Sequence, residues 1–278
     1  MIRGARWLGL RSSRVLLDAL ILLGLLLAVL PFIYMVLTSL QKSTSISLSF
    51  DPSKLDFSNY TQLFTIDGFG SAIMVTTIVV ILAVITNLVV SSMAAYAFSK
   101  RRFPGSETVF IVYLATMMVP IQVTLIPLFV IMRDLGLLNS YLSLFLPIVN
   151  AFGVFLIRQF MDDIPDELIE AARIDGASEW RIYYQLALPL ARPVLISLAV
   201  FTFIGAWNDF LWPLVSVQTP NMRTLTLSAA LLQSNNYGVT NYGLVMAGAT
   251  VSFIVPMIVY FLIQRQFVQG VAATGLKG

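Results

Sequence analysis

The sequence predicts an all-α polytopic membrane protein with six membrane-spanning helices. Hydrophobic residues make up 58% of its 278 residues and charged residues only 11%, with a mean hydropathy of +0.86. A soluble domain is far more polar. Six apolar runs lie near residues 15–40, 70–98, 108–132, 141–160, 192–216 and 243–264. Each is long enough to cross a hydrocarbon core of about 30 Å. One membrane domain, residues 1–278, therefore accounts for the whole length.

The first apolar run, Val15 to Leu40, is interrupted only by Asp18. It is longer than the core of a secretory signal peptide, and no small-residue cleavage site follows a short core. We therefore expect it to be retained as a helix. The leader before it carries Arg3, Arg6, Arg11 and Arg14.

Basic residues divide unevenly between the two sides of the membrane. With the N-terminus inside, four of the 17 Lys and Arg residues fall outside, namely Lys42, Lys54, Arg133 and Arg223, and the other 13 fall inside. Cytoplasmic loops carry the excess of basic residues in membrane proteins. The sequence therefore predicts a cell-membrane protein with both termini in the cytoplasm, including a tail at residues 265–278.

The sequence lacks the residues and motifs that several kinds of chemistry require. The chain has no cysteine and no histidine, which excludes disulfides, Cys/His metal sites and histidine acid–base catalysis. No phosphate-binding GxxxxGK[ST] loop is present, and no basic–aromatic pattern suggests nucleic acid. We therefore expect no cofactor, no metal and no catalytic site of its own.

The loops and turns also carry expectations. The Ser, Asp, Asn and Pro content of residues 41–69 favours an irregular external loop. In the inside turn at residues 94–105, Lys100, Arg101 and Arg102 are expected to anchor at the anionic lipid surface. Three prolines at 120, 127 and 147 predict bent helices that pack beside a pore rather than a smooth lipid-facing rod.

Asp209 is the only acid of the fifth apolar run. An ionisable group in the outer half of a span is costly, so Asn208 and Asp209 are candidates for a polar pathway through the membrane or an interface with a partner. The alternative is an interfacial carboxylate within an aromatic belt formed by Trp207 and Trp212.

A polar island interrupts the apolar pattern at residues 162–190, which we call the acidic hairpin. Its residues 162–179 hold seven acids and one base, half of the chain's 14 acids: Asp162, Asp163, Asp166, Glu167, Glu170, Asp175 and Glu179, with Arg173. Pro165 suits a first helical position, Gly176 a left-handed cap, and Ser178 the N-cap of a second helix.

The remaining residues of the island complete this prediction. Leu168, Ala171 and Ala172 are expected to share one small apolar face. Pro189 and Pro193 are expected to stop the second helix and turn the chain back towards the bilayer. The predicted structure is a helix–turn–helix with a close-packing face. An ordinary solvated acidic hairpin is the alternative.

The amino-acid sequence of the island resembles the EAA loop of ABC importer permeases. The matching residues are Glu170, Ala171 and Ala172, then Asp175, Gly176 and Ala177, then Leu188 and Pro189. The segments LDFSNYTQLF (55–64), AYAFSKRRFPG (95–105), LGLLNSYL (135–142), the WND at 207–209 and the tail from Phe267 are similar to the shorter, maltose-permease-like subunits of carbohydrate importers.

That resemblance implies a type I ABC importer fold and a permease subunit that transports a sugar. The EAA residues would form a coupling helix docked on a cytoplasmic ATPase, and the glycine-containing tail would run extended to the ATPase dimer. The implied partners are a second permease, two ATPase subunits that hold ATP and Mg²⁺, and an extracytoplasmic solute-binding protein. Alternatives are a same-fold permease for glycerol phosphate, polyol or another solute, and an autonomous secondary carrier.

Overall fold

The helices follow the apolar runs of the sequence. A computed structural model describes residues 3–43, 51, 53, 55–66, 68–101, 103–233 and 241–275, with side chains from residue 15 to 262 and at 264. The helices are α1 (Arg3–Ser39), α2 (Ser58–Thr65), α3 (Phe69–Lys100), α4 (Ser106–Ala115), α5 (Ile121–Asp134), α6 (Tyr141–Phe145), α7 (Ala151–Asp162), α8 (Asp166–Ile174), α9 (Glu179–Ile182), α10 (Leu188–Leu190), α11 (Arg192–Asn208), α12 (Leu211–Ser216), α13 (Leu225–Leu231) and α14 (Tyr242–Gly275).

Three of these helices contain a segment that is long and apolar enough to span a membrane by itself: Val15–Ser39, Phe69–Lys100 and Tyr242–Leu262. Three more spans arise if each of three bent pairs counts as one. The pairs are Ser106–Met118 with Ile121–Asp134 (103°), Tyr141–Ile148 with Ala151–Asp162 (44°), and Glu179–Leu190 with Arg192–Asn208 (76°). The described residues thus provide up to six spans, the number that the sequence predicts, although the bent pair for the fifth span covers residues 179–208 and so includes part of the acidic hairpin instead of the predicted run at 192–216.

Proline and polar residues interrupt the bent spans. Pro120 follows the short 3₁₀ turn Thr116–Met118 and is the N-cap of α5, which explains the sharp bend there. Pro127 lies inside α5 without ending it. The fifth run is not one continuous helix over 192–216, because α11 ends at Asn208 and α12 begins at Leu211.

The chain forms two compact units, of which Met1–Thr65 with Ala230–Val251 is the first. Within this unit, Asn59 is 1% exposed and donates to the carbonyls of Ser39 and Gln41 at 2.8 and 2.9 Å. The side chain of Asp56 accepts from the backbone N–H of Ser58 at 2.9 Å and so starts α2. The expectation of irregular structure is therefore wrong at Ser58–Thr65, where these polar contacts stabilise a helix.

The second unit, Ile66–Ala229 with Ser252–Gly278, contains α3 packed along α7 and α11. Polar side chains link these helices in their buried interior. Asn87 donates to Thr202 Oγ1 at 2.9 Å and accepts from Ser91 at 2.9 Å. Gly153 of α7 lies so close that an added Cβ would stand 2.5 Å from Ser91 Oγ. The small residue therefore allows three helices to meet around one hydrogen-bonded cluster.

The backbone of the C-terminal segment differs from the expectation. Helix α14 continues to Gly275, so the tail is helical from residue 265 to 275 rather than extended. Glycine permits an extended chain but does not require one, and isolated glycines are tolerated within helices. Residues 276–278 lie outside the described residues.

Candidate functional site

The acidic hairpin forms the helix–turn–helix that the sequence predicts. Asp166 and Glu167 occupy the first turn of α8 and Arg173 its last turn, which complements the helix dipole at both ends. Gly176 follows with φ of +79°, a backbone conformation that only glycine adopts without strain. The hydroxyl of Ser178 then accepts from the backbone N–H of Arg181 and caps α9.

Three prolines lie at positions that differ from the prediction. Pro165 is the N-cap of α8 rather than its first helical residue. Pro189 lies inside α10, and Pro193 lies in the first turn of α11. The chain turns at Ala191 between them. Pro193 therefore begins a helix instead of ending one, because the first turn does not need its missing N–H.

The small apolar face predicted for α8 is divided between two sides of the helix. Ile169 is 2% exposed and Ala172 is half-buried, and both pack on a core cluster of this chain. Leu168 and Ala171 are exposed, and Ile174 is 86% exposed. The prediction is therefore wrong for Ala172, because Ile169 fixes which side of the helix is buried. The exposed side of α8 combines apolar residues with acids.

The other EAA-type residues lie around this turn and the end of the hairpin. Asp175 caps the C-terminus of α8 and is exposed. The backbone N–H of Ala177 bonds to the carbonyl of Ala172 at 3.0 Å, and Ala177 and Leu188 pack against the core cluster. Pro189 is exposed. Of the EAA-type residues, the structure thus places Glu170, Ala171, Asp175, Gly176 and Pro189 on the exposed surface, whereas Ala172, Ala177 and Leu188 are half-buried.

A buried lysine fixes the start of the hairpin to α3. The side chain of Lys100 is 3% exposed, and its ammonium donates to the Ile164 carbonyl at 2.6 Å and to Asp166 at 2.7 Å. The prediction that Lys100 anchors at a lipid surface is therefore wrong. A buried ammonium needs a carboxylate partner, which the hairpin supplies. Arg102 lies outside the described residues.

Glu179 connects the two helices of the hairpin to the end of α3. Its carboxylate accepts from Tyr96 Oη at 2.9 Å and from Arg173 Nε at 2.9 Å, and lies 3.0 Å from Arg101 Nη1. The hydrogen bond to Glu179 raises the pKa of the Arg173 guanidinium. Arg173 also donates to the Lys100 carbonyl at 3.3 Å. One carboxylate thus ties α8, α9 and α3 together.

The second helix of the hairpin packs against the same stretch of α3. Tyr183 begins a π-helical turn, Tyr183–Ala187, and its hydroxyl lies 2.7 Å from Ser92 Oγ. Ile182 is 1% exposed within the core cluster. Trp180 stays 63% exposed, although its ring meets that of Tyr183 edge-on at 5.8 Å. The hairpin is thus attached to its own chain on one side and open on the other.

A second basic residue connects the helices that lead into the hairpin. Arg158 of α7 forms an ion pair with Glu107 of α4 at 2.6 Å, and its guanidinium lies 3.8 Å from the ring centre of Phe110. Asp162 lies 3.6 Å from Arg158. This contact joins α4 and α7 without touching α8 or α9.

The residues around Lys100 also surround a polar cavity of about 410 Å³. Its lining includes Ser99, Lys100, Arg101, Asp166, Ile169, Glu170, Arg173 and Glu179. Three bases and three acids face each other there, so the charges of the cavity balance. Among the described residues, the exposed Glu170 forms no ion pair or hydrogen bond with another side chain.

Sequence reasoning missed Ser92 and Tyr96 of this site and assigned Lys100 to a lipid surface. One signal was available for Lys100, because a basic trio at 100–102 and the segment 162–179, with seven acids and one base, face the same side in the predicted topology. The uncharged Ser92 and Tyr96 gave none, since they resemble any other residues of an apolar span.

The second candidate site lies at the break between α11 and α12. The indole of Trp207 donates to the Ser252 carbonyl at 3.0 Å, and Asn208 donates to the Ile204 carbonyl at 2.9 Å. Asp209 is half-buried, and its carboxylate is within reach of hydrogen bonds from the backbone N–H groups of Phe210 and Trp212. Asp209 is the C-cap of α11, and its carboxylate lies beside the start of α12.

Metal ligation finds no support in the part of the chain that the structure describes. No group of three or more His, Cys, Asp or Glu side chains is placed there to hold an ion. Two acids of the hairpin, Asp166 and Glu179, instead form ion pairs with Lys100 and Arg173.

The family of this chain follows from a comparison with known proteins. A family model described as the binding-protein-dependent transport system inner membrane component matches residues 87–273. The chain belongs to this family. It is therefore a multi-pass inner-membrane permease subunit of a binding-protein-dependent ABC importer, which confirms the resemblance seen in the acidic hairpin and sets aside the autonomous secondary carrier.

Characterised relatives of this permease extend over most of its length. The arabinooligosaccharides transport system permease protein AraQ of Halalkalibacterium halodurans is 36% identical, covering 91% of this chain and 92% of the relative. The lactose transport system permease protein LacG of Rhizobium radiobacter is 34% identical over 89% and 91%. The sn-glycerol-3-phosphate transport system permease protein UgpE of Pectobacterium atrosepticum is 36% identical over 73% and 72%.

A solved structure confirms the fold of this permease. A chain from a bacterial ABC transporter involved in the import of the acidic polysaccharide alginate superposes with a TM-score of 0.83 at 27% identity. The match covers 92% of this permease and 97% of that chain. The all-helical type I importer fold is thereby shown.

Proposed function

We propose that this permease transports a sugar or oligosaccharide, and that its acidic hairpin is the coupling helix on which a cytoplasmic ATPase subunit docks. Both termini then lie in the cytoplasm, as the distribution of basic residues predicts. A second permease completes the pathway, two ATPase subunits hold ATP and Mg²⁺, and an extracytoplasmic solute-binding protein delivers the substrate. ATP binding would close the ATPase pair and rock the permeases between inward- and outward-facing states.

The observation that carries this proposal is the exposed side of α8. Ile174 is 86% and Leu168 46% exposed, and the exposed Ala171 and Glu170 lie beside them. An apolar centre with a charged rim is typical of a docking surface. A solvated hairpin would not need three exposed apolar side chains on a helix of nine residues.

Co-purification of the ATPase subunit with the tagged permease tests the docking. Ala171→Leu adds bulk where a partner would pack, and overpacking costs about 1–3 kcal/mol. Glu170→Lys reverses a charge that we expect to face a basic patch. Both variants should reach the membrane, lose the ATPase on gentle purification and lose uptake.

Gly205→Leu is the matched size control, because Gly205 is exposed on α11 and a Cβ there meets nothing within 4 Å. It should retain the ATPase. Normal stoichiometry in both hairpin variants would contradict the docking and leave the solvated hairpin as the better description.

The substrate class rests on the relatives. AraQ and LacG are named for arabinooligosaccharides and lactose, which favours a sugar. UgpE, named for sn-glycerol-3-phosphate, favours a phosphate-bearing solute as the second candidate. Uptake by the reconstituted importer with its own binding protein distinguishes them. Competition by arabinooligosaccharides or lactose, and none by sn-glycerol-3-phosphate, supports the sugar, and the reverse result overturns it.

A further inference from the structure

The two helices of the hairpin make a series of polar contacts with α3, close to the end of that helix. Glu179 and Tyr183 make these contacts from the hairpin, and Lys100 makes them from α3. The residues of α3 and its C-terminal end that take part lie between positions 92 and 101. That stretch covers about 14 Å of helix length at 1.5 Å per residue. Contacts spread over more than two turns resist tilting of the hairpin as well as its separation. The hairpin and the end of α3 therefore behave as one body.

Charge strengthens this attachment, most of all at the buried side chain of Lys100. The Lys100 ammonium is 97% buried, with Asp166 and the Ile164 carbonyl as its acceptors. Glu179 has three donors, of which two are guanidinium groups. Hydrogen bonds to charged groups are stronger than neutral ones, and breaking one leaves the partner unsatisfied. Ile169 and Ile182 add apolar contacts, because both are buried in the core cluster that also contains Tyr96 of α3.

Helix α3 is also positioned to pass a displacement onwards. It has 32 residues and packs along both α7 and α11. Asn87, near its middle, is hydrogen-bonded to Thr202 of α11 and to Ser91. A movement of the end of α3 is therefore transmitted to α11 through a buried polar contact instead of being lost in apolar sliding.

We propose that Lys100 and Glu179 are positioning residues that join the acidic hairpin rigidly to α3, so that α3 is the span that receives the movement of the docked hairpin. This inference rests on the proposed coupling function. It separates two roles within one loop: the exposed side of α8 binds the ATPase, and the buried side transmits the movement. Damage to the buried side should therefore uncouple hydrolysis from transport without releasing the ATPase.

Two variants weaken the attachment while leaving the exposed side of α8 intact. Glu179→Gln keeps the shape and the acceptor for Tyr96 but removes the charge that pairs with Arg101 and Arg173. Lys100→Met keeps the apolar stem and removes the ammonium. In the reconstituted importer, ATPase co-purification should remain normal in both. Substrate transported per ATP hydrolysed should fall by about fivefold or more, and Lys100→Arg should restore most of it.

The absence of natural cysteine allows a direct measurement of rigidity. Spin labels at Ile174→Cys and Ile85→Cys, both exposed positions, report the distance between the hairpin and the membrane part of α3. The distance distribution should be narrow in the otherwise unchanged permease and broad in Glu179→Gln and Lys100→Met. A merely stabilising contact would lower the thermal stability without this broadening.

Glu107→Gln is the control, because it weakens the Arg158 ion pair at the same end of the unit without touching α8 or α9. It should leave both the transport ratio and the distance distribution unchanged. A narrow distribution with a normal ratio in Glu179→Gln overturns the inference, even if Lys100→Met fails to insert. Failure of the ATPase to co-purify with the unchanged permease would instead overturn the proposed docking.

Discussion

The turn of the acidic hairpin depends on one backbone conformation, and Gly176→Val tests its importance. Gly176 has φ of +79°, and a Cβ added there would meet nothing within 4 Å. Valine therefore fits sterically with respect to the rest of the chain, and its cost comes from the backbone alone. A left-handed conformation costs an L-residue about 1–2 kcal/mol, and a β-branched residue lies at the high end.

This cost acts on the docking surface rather than on the membrane fold. Ile169 and Ile182 on either side of the turn are at most 2% exposed, so both helices stay attached while the turn between them is strained. A penalty of about 1–3 kcal/mol corresponds to a loss of about 5- to 150-fold in the apparent affinity for the ATPase. Gly176→Asn should lose much less, because asparagine tolerates this conformation.

The assay is titration of purified ATPase onto the permease in detergent or nanodiscs, with membrane level and thermal stability measured in parallel. Gly105→Val is the matched control. Gly105 has φ of +80° and an equally open Cβ position, but it lies in the turn before α4 and outside the hairpin. Its stability should fall as in Gly176→Val, with little change in ATPase affinity. Equal loss of affinity in both variants, or normal affinity in Gly176→Val, would refute the reasoning.

Three further predictions concern the membrane part of the permease. Gly153→Ala should lower the free energy of unfolding by about 1–3 kcal/mol, because its Cβ would meet Ser91. Gly205→Ala should leave it unchanged, and unfolding of the two purified variants tests this. If Asp209 lines the pathway, Asp209→Leu should abolish uptake at normal membrane levels, whereas normal uptake would support the aromatic belt or the contact with the start of α12. A reporter fused after residue 278 should be active only in the cytoplasm and one inserted at Ser58 only outside, and an external C-terminus would contradict the proposed orientation.

Sequence patterns with a local cause predicted this permease well. Apolar runs of bilayer length gave six spans because each length is set by the membrane and not by the fold. Gly176 and Ser178 predicted the turn and the second helix of the hairpin, since caps depend on residues next to them in the chain. The EAA-type residues predicted the family, which the family model and the relatives confirm.

The predictions that failed needed knowledge of distant neighbours. Lys100 was expected at a lipid surface because a basic residue after a span usually lies there, but Asp166, 66 residues later, draws its ammonium into a buried ion pair. The burial of Ala172 depends on Ile169 meeting the core cluster, which no pattern within α8 reveals. The break at Asp209 is similar, because a continuous apolar run contains no strong local stop signal.

The sequence by itself determined that this protein is a helical membrane permease, where its spans lie and where the acidic hairpin turns. These properties follow from hydrophobic length, charge and caps, all of which act between near neighbours. Only the tertiary structure decided which side of the hairpin is attached and which is exposed. That division depends on Tyr96 and Lys100 of α3 meeting Glu179 and Asp166, and contacts between residues so far apart exist only once the helices have packed.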